Sequence, residues 1–94
     1  KKDLNDLYTL RMLQQAIGMD YGILQQERLL SRCYLYTATL YLKRGSYDAA
    51  LHAAEIGKDS AKDEGNADNE KLLEDIKQKA TALRAKRMED KTPN

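Results

Sequence analysis

The sequence has no phenylalanine or tryptophan, and only one cysteine and one proline. A single cysteine, Cys33, cannot form a disulfide within the chain, which is typical of proteins from a reducing compartment. Because Cys33 lies in the most apolar segment, we expect it to pack as a small hydrophobic residue and not to react as a thiolate. The aromatic side chains are six tyrosines, most of which we expect in the core with their hydroxyl groups at its edge.

An excess of charge of one sign and a long apolar run are also missing. The sequence has sixteen Lys and Arg residues and fifteen Asp and Glu residues, so its net charge is +1. This charge is too small to attract nucleic acid or an anionic membrane through a long-range electrostatic field. The longest mainly apolar run is about ten residues, too short to cross a bilayer, and no signal-peptide pattern opens the sequence. We therefore expect one domain over residues 1–94, in an intracellular, cytoplasmic protein without membrane contact.

The sequence lacks the common motifs of enzymes and cofactor sites. It has no paired-cysteine motif, no nucleophile beside a base and no glycine-rich phosphate loop, so we expect no enzymatic activity and no cofactor. His52, Glu55 and Asp59 share one helical face, but they fall short of the usual ligand set of a metal site. Seven cations against four acidic residues between Lys71 and Lys91 are too few for a nucleic-acid footprint. We interpret both groups as solvated helix faces.

The segment 34–57, YLYTATLYLKRGSYDAALHAAEIG, predicts two helices folded back on each other. Its first part has almost no polar face, which is typical of a helix buried on most sides. Lys43 and Arg44 suit the carboxyl end of a helix, Gly45 can adopt positive φ, and Ser46 is placed to cap the next helix. After this turn, small or apolar residues recur at three- and four-residue steps, which predicts a small-residue face toward the first helix.

Four helices are predicted, with approximate bounds 3–17, 21–44, 47–64 and 68–88, followed by a tail over 89–94 that contains the only proline. Gly18 is a candidate C-cap of the first helix and Asp20 a candidate N-cap of the second. Gly65 and Asn66 separate the third helix from the fourth, which Asn66 or Asp68 can cap. The first helix has a wide apolar surface, which indicates contact with more than one neighbour. The fourth has one narrow apolar stripe, as in a terminal helix with a wet outer side.

The hairpin resembles a tetratricopeptide repeat, a helix-turn-helix unit of about 34 residues with a fixed order of bulky, small and aromatic positions. Tyr34 stands at the family's tryptophan position, and Thr37 and Ala38 stand at its leucine-glycine pair. Tyr41 stands at the tyrosine position and Ala50 at the small alanine of the second helix. The resemblance covers about a quarter of the chain and one repeat.

Two positions depart from the family pattern. Ala54 stands where the family has a large aromatic residue, and Lys62 stands where it has a terminal proline. The resemblance therefore implies a longer second helix than usual, with small residues packed against tyrosines. The residues expected to pack the repeat are Tyr34, Ala38, Tyr41, Gly45, Tyr47, Ala50 and Ala54.

The resemblance also implies a groove, lined by the first helix of the hairpin, for a peptide or helix of a partner protein. Carried onto this sequence, the groove-facing residues are Arg32, Leu35, Tyr36, Thr39, Leu42 and Lys43. Members that clamp a terminal carboxylate have asparagine at the position of Tyr36, so we do not expect a carboxylate clamp. A more apolar groove with Arg32 and Lys43 at its ends favours an amphipathic helix with an acidic flank.

The predicted fold class is all-α, built from antiparallel helical hairpins. Two architectures stay open: a fragment or cap of an α-solenoid, or a small four-helix domain. The predicted function is protein-protein interaction, as an adaptor, scaffold or co-chaperone-like module. One alternative is self-association, for example as a homodimer, or docking onto a larger assembly through exposed apolar residues such as Leu4, Leu10 and Met12. Nucleic-acid binding by the last helix is the least favoured alternative.

Overall fold

Helices make up nearly all of the chain in the computed structural model, which describes residues 2–91 and, within them, the side chains of residues 4–89. The helices are α1 (Lys2–Met19), α2 (Tyr21–Gln26), α3 (Leu30–Arg44), α4 (Tyr47–Glu64) and α5 (Ala67–Lys91). No strand occurs in this part of the chain, so the all-α prediction is confirmed. Helix α4 begins and ends where the sequence predicted. Residues 89–91 belong to α5 and not to a tail, and residues 92–94 lie outside the described part.

The long helix predicted over 21–44 is wrong, because the chain breaks between α2 and α3. Arg28 adopts φ of 60°, and its N–H and that of Leu29 donate to Gln25 and Leu24, which closes α2 with the hydrogen-bond pattern that usually needs glycine. An arginine in this conformation costs roughly 1–2 kcal/mol. The Glu64 carboxylate offsets this cost, because it accepts a hydrogen bond from the backbone N–H of Ser31 and so caps α3 from α4.

The remaining helix ends divide into confirmed and corrected predictions. Gly45 and Gly65 adopt φ of 81° and 69° and end α3 and α4, and the Asn66 side chain accepts a hydrogen bond from Asn69 N–H at the start of α5. Gly18 does not cap α1, which continues through it to Met19. Asp20 and Ser46 stand at N-cap positions, but neither side chain makes a capping hydrogen bond.

Helix α4 packs against both α3 and α5, and the core lies along its small-residue face. The buried cluster consists of Ala38, Ala53, Ala54, Ala61 and Leu73, with Tyr34, Leu35 and Ile76 packed against it. At Gly57 the backbones come so close that an added Cβ would lie 2.7 Å from the Tyr34 Cβ and 3.0 Å from a Leu73 methyl. The predicted close approach of small residues is therefore present.

Two polar attachments hold the outer helices on this core. Arg87 near the end of α5 donates to the Gly45 carbonyl at 2.7 Å and lies over the Tyr47 ring, with 4.4 Å between the guanidinium carbon and the ring centre. On the other side α1 packs on α3, where Asp6 pairs with Lys43 at 3.2 Å.

None of the helices described has the length and apolar character that a membrane span requires.

Candidate protein-binding groove

An open groove lies between α1, α3 and α4, with a volume of about 330 Å³. Its walls are the end of α1, one side of α3 and a side of α4 next to the core. Most of its lining is apolar or aromatic, and it carries no formal charge. The lining residues are Gln14, Ile17, Gly18, Tyr34, Thr37, Tyr41, Ala49, His52, Ala53 and Ile56.

A second cavity, of about 260 Å³, lies between α2, the start of α3 and the far end of α4. It is lined by Tyr21, Gln25, Arg28, Leu30, Ser60, Asp63 and Glu64. The α4 residues of the two cavities follow one another at helical spacing, from Ala49 through Ile56 to Asp63. At 1.5 Å per residue this line is about 21 Å long. We call the first cavity the groove and the second one the polar cavity.

Helix α1 leaves room at its side of the groove. Gly18 is exposed within the helix, and an added Cβ there would meet no atom within 4 Å. Gln14 donates a hydrogen bond to the Tyr41 hydroxyl, which holds α1 against α3 at this place. This hydrogen bond links the wall to α3, and the space next to Gly18 is open.

The polar cavity is held by a hydrogen-bond network that joins three helices. The Glu64 carboxylate accepts from the Ser31 hydroxyl at 2.6 Å and from its N–H at 3.0 Å. The Asn69 side chain donates to the same hydroxyl at 3.0 Å. Arg28 donates to the Glu64 carbonyl at 3.5 Å. Because Ser31 is fully buried, this network fixes the start of α3 against the end of α4 and the start of α5.

The predicted partner-binding residues do not all share one surface. Arg32, Tyr36, Thr39 and Lys43 are exposed and lie on one face of α3, which we call the α3 face. Lys43 on this face is paired with Asp6 of α1. The other two predicted residues, Leu35 and Leu42, are half-buried, and Leu35 packs against the core. By helical spacing the α3 face points away from Tyr34 and Tyr41, which line the groove.

The predicted packing residues are found in or beside the core. Ala38, Ala50 and Ala54 are fully buried. Tyr34, Tyr41 and Tyr47 are half-buried. Two of these tyrosines, Tyr34 and Tyr41, also form part of the groove, a role that the sequence analysis did not assign to them.

The groove residues on α4 had a signal in the sequence. Ala49, Ala53 and Ile56 recur at steps of four and three residues, beside the core positions Ala50 and Ala54. An apolar surface of this width is more than one neighbouring helix can cover. For α1 the wide apolar surface was recognised, but its contribution to a groove was not, because Gly18 was interpreted as a helix end.

A stripe of apolar side chains lies on the outer side of α1. Leu4, Tyr8, Met12 and Met19 are 65%, 67%, 51% and 75% exposed, and their spacing places them on one face of the helix. We call these four residues the α1 stripe. The sequence analysis expected Leu4, Leu10 and Met12 to be exposed; for Leu10 this is wrong, because it is 3% exposed and faces inward.

Two side chains at or beside the groove, Cys33 and Tyr34, have shifted pKa values. Burial raises the pKa of the Cys33 thiol and that of the Tyr34 hydroxyl, so Cys33 is a poor nucleophile at neutral pH. Among the described side chains, no group of three or more His, Cys, Asp or Glu residues is placed to hold a metal ion. The arrangement can bind an apolar partner surface.

Comparisons with protein-family models, with curated proteins and with solved structures found no match to this chain. The function proposed for it therefore depends on the geometry and chemistry of its own residues.

Proposed function

We propose that this chain is a protein-interaction domain, with the role of an adaptor or scaffold, and that it holds an amphipathic helix of a partner protein in the groove. The observation that carries the proposal is the open apolar groove between α1, α3 and α4. Along α4 it extends from Ala49 to Ile56, which is about two helical turns. This is the shape and chemistry that helix-in-groove recognition uses.

A helix fits the groove better than an extended peptide does. The walls are helices, whose backbone N–H and C=O groups are already paired along their length. An extended peptide would find no row of backbone partners there, whereas a helix brings its own hydrogen bonds. Small residues on two walls, Gly18 and Ala49, let a helix approach closely, as ridge-into-groove packing requires.

The α3 face is the competing surface for the same function. It comes from the resemblance of the hairpin to a tetratricopeptide repeat, whose first helices line the binding groove. Its cations, Arg32 and Lys43, would select a partner helix with an acidic flank. The groove is preferred because it is concave and mainly apolar, and because Lys43 already has a carboxylate partner.

A pair of matched glycine substitutions tests the groove. Gly18 and Gly22 are both exposed helical glycines with nothing within 4 Å of an added Cβ, but only Gly18 lines the groove. The probes are helical peptides of 15 residues, selected from a displayed library against the protein. We expect Gly18→Arg to weaken their binding about tenfold or more, because a cation then occupies an apolar site. Gly22→Arg should leave the affinity unchanged.

The α3 face is tested in the same assay with the double variant Arg32→Glu and Lys43→Glu. If the groove is the site, this variant binds the selected peptides as the wild type does, and its helical content by circular dichroism is unchanged. If it loses binding while Gly18→Arg retains it, the α3 face is the binding surface and the proposed groove is refuted.

A second candidate function is assembly with copies of the same chain or docking onto a larger complex. The α1 stripe favours it, because four large apolar side chains on one helix face exceed the scattered exposure that is normal for a protein surface. Homodimer formation is the simplest form of this function.

A further inference from the structure

We propose that the groove is a pH-dependent site, in which protonation of His52 weakens the binding of the partner helix. The inference rests on the proposed function of the groove and adds its regulation. The chain contains one histidine, and this histidine lines the groove. Histidine is the side chain that ordinarily changes its charge between pH 5 and pH 8. The one residue of this type therefore stands where a partner would bind.

The helical spacing of α4 places His52 among apolar residues of the groove. Ala49 lies three residues before it, Ala53 directly follows it, and Ile56 lies about one turn after it. His52 is exposed in the free chain, so water can hydrate the imidazole ring in either charge state. A helix seated on Ala49, Ala53 and Ile56 would cover part of the ring and remove some of that water.

The cost of covering the ring depends on its charge. A charged imidazole loses hydration that apolar side chains cannot replace, whereas a neutral ring loses much less. The partner helix therefore binds the neutral form of His52 more tightly. Because the binding of a proton and the binding of the partner then oppose each other, the affinity for the partner falls as the pH is lowered through the range in which histidine becomes charged.

The walls that face His52 offer nothing to offset a positive charge. Among the described residues that line the groove from α1 and α3, none carries a carboxylate; they are Gln14, Ile17, Gly18, Tyr34, Thr37 and Tyr41. The two tyrosines are phenols, which stay neutral between pH 5 and pH 8. The Tyr41 hydroxyl also accepts a hydrogen bond from Gln14.

The nearest carboxylates on α4 are Asp48 and Glu55, each about one turn from His52. Both reach toward α5. Asp48 pairs with Arg84 at 2.7 Å, and Glu55 pairs with Lys77 at 3.6 Å. Since cations of α5 balance these two carboxylates, they do not hold a compensating negative charge for the ring inside the groove.

The open shape of the groove limits the size of the effect, because the ring keeps part of its hydration beneath a partner. We expect the neutral ring to be preferred by about tenfold, which corresponds to one pK unit. Between about pH 7.5 and about pH 5.5 this preference weakens the partner's binding about three- to fivefold, because the ring is only partly charged at the lower pH. Binding is reduced and not abolished.

The pH dependence of peptide affinity tests the inference. The probes are helical peptides selected at about pH 7.5 from a displayed library whose polar positions hold only Gln, Asn and Ser, and then synthesised with blocked ends. These peptides do not titrate in the tested range. Fluorescence anisotropy measures their Kd at about pH 7.5 and about pH 5.5, at constant ionic strength. Circular dichroism melts show that the protein is folded at both values.

The readout is the ratio of the two Kd values, which does not depend on the absolute affinity of a variant. His52→Gln cannot change its charge, so its ratio should be about one. His52→Lys is charged at both pH values; its ratio should also be about one, and it should bind more weakly than His52→Gln. The double variant of His52→Gln and Gly22→His moves the histidine to an exposed position outside the groove. Its ratio should stay at about one.

Three results would overturn the inference: a wild type with equal Kd values at the two pH values, a wild type that binds more tightly at the lower pH, and a pH dependence that His52→Gln retains. The groove itself is judged separately at about pH 7.5, by the glycine variants. If Gly18→Arg binds more weakly than Gly22→Arg, the groove stands even where the pH dependence fails. If the two variants bind alike, the groove is refuted, and its regulation with it.

Discussion

Helices α1 and α4 each contain eighteen residues, but they bury their side chains in opposite ways. Helix α4 is rich in alanine and buries Ala50, Ala53, Ala54, Gly57 and Ala61 between α3 and α5. Helix α1 has larger apolar side chains, yet among those described only Leu10 is buried. Burial here follows shape and the number of neighbours more than hydrophobicity.

The difference has a physical cause. Small residues let the α4 backbone approach two neighbours closely, so both of its sides are covered. Helix α1 packs on α3 and leaves its outer face, the α1 stripe, without a neighbour among the described residues. The sequence predicted that the wide apolar surface of this helix contacts more than one neighbour. In the structure only part of that surface is covered, and the α1 stripe is exposed. We infer that the core of this chain is around α4, and that its interaction surfaces are around α1.

The largest effect is expected from truncating the core leucine on α5. Leu73 is fully buried against α4, so Leu73→Ala should lower the free energy of unfolding by about 2–5 kcal/mol. The adjacent Leu72 is 48% exposed, and Leu72→Ala should change it by about 0.5 kcal/mol or less. Urea denaturation measures both variants.

A leucine truncation on α1 tests whether this helix is peripheral. If α1 is peripheral, Leu10→Ala should speed amide hydrogen exchange in α1 while α4 and α5 keep their protection. Equal loss of protection in all helices would show that α1 belongs to the same cooperative unit as α4, and the distinction between core and periphery would fail.

A smaller effect, of opposite sign in the two regions, is expected from adding one methyl group to a helical glycine. At Gly57 the added Cβ would collide with the Tyr34 Cβ, which is fixed to the backbone, so Gly57→Ala should destabilise the fold by about 1–3 kcal/mol. At Gly18 the space is open, so Gly18→Ala should stabilise α1 by up to about 1 kcal/mol. Thermal melts measure both; a loss of stability at Gly18 would contradict the open groove wall.

The smallest effect is expected from the ion pair between α4 and α5. The hydrogen bond from Lys58 lowers the pKa of Glu74 and raises that of Lys58. Because the carboxyl pKa is lower in the folded state, the pair stabilises the fold at pH values above the ordinary pKa of 4.5. This contribution disappears as the pH falls through the pKa of Glu74 in the folded protein. The raised pKa of Lys58 affects stability at high pH. Its contribution is present below the ordinary pKa of 10.5 and disappears as the pH rises through the higher pKa in the folded protein.

Glu74→Gln is the matched variant for this pH dependence. The melting temperature of the wild type should fall more steeply than that of Glu74→Gln as the pH is lowered from 5 toward the folded pKa of Glu74, which lies below 4.5. Parallel curves for the two proteins would show that the pair does not contribute to stability, as is common for exposed ion pairs.

Much of the fold was predictable because its signals are local. Gly45, Gly65 and Asn66 end or start helices through their own backbone freedom or side-chain oxygen, and all three predictions are confirmed. The small-residue face of α4 depends on periodicity within one helix, and it is also confirmed. The break at Arg28 was missed because an arginine in the left-handed conformation has no local signal.

The stabilising partner at that break lies far along the chain. Glu64 accepts hydrogen bonds from Ser31 across 33 residues of sequence, and no window around Arg28 contains this information. Leu10 was misplaced for a similar reason. The apolar residues on α1 predict that some of its faces are covered, but only the angle between α1 and α3 decides which face.

Three features follow from local sequence: the all-α class, the hairpin of α3 and α4 with its glycine turn, and the small-residue face that forms the core. These features depend on residue type and on spacing within a few turns of chain. Three other features depend on how the helices pack: where the groove opens, that Tyr34 and Tyr41 line it, and that the α1 stripe faces outward. Those features depend on how helices cross one another, and the crossing is set by the sum of many weak contacts between residues distant in sequence.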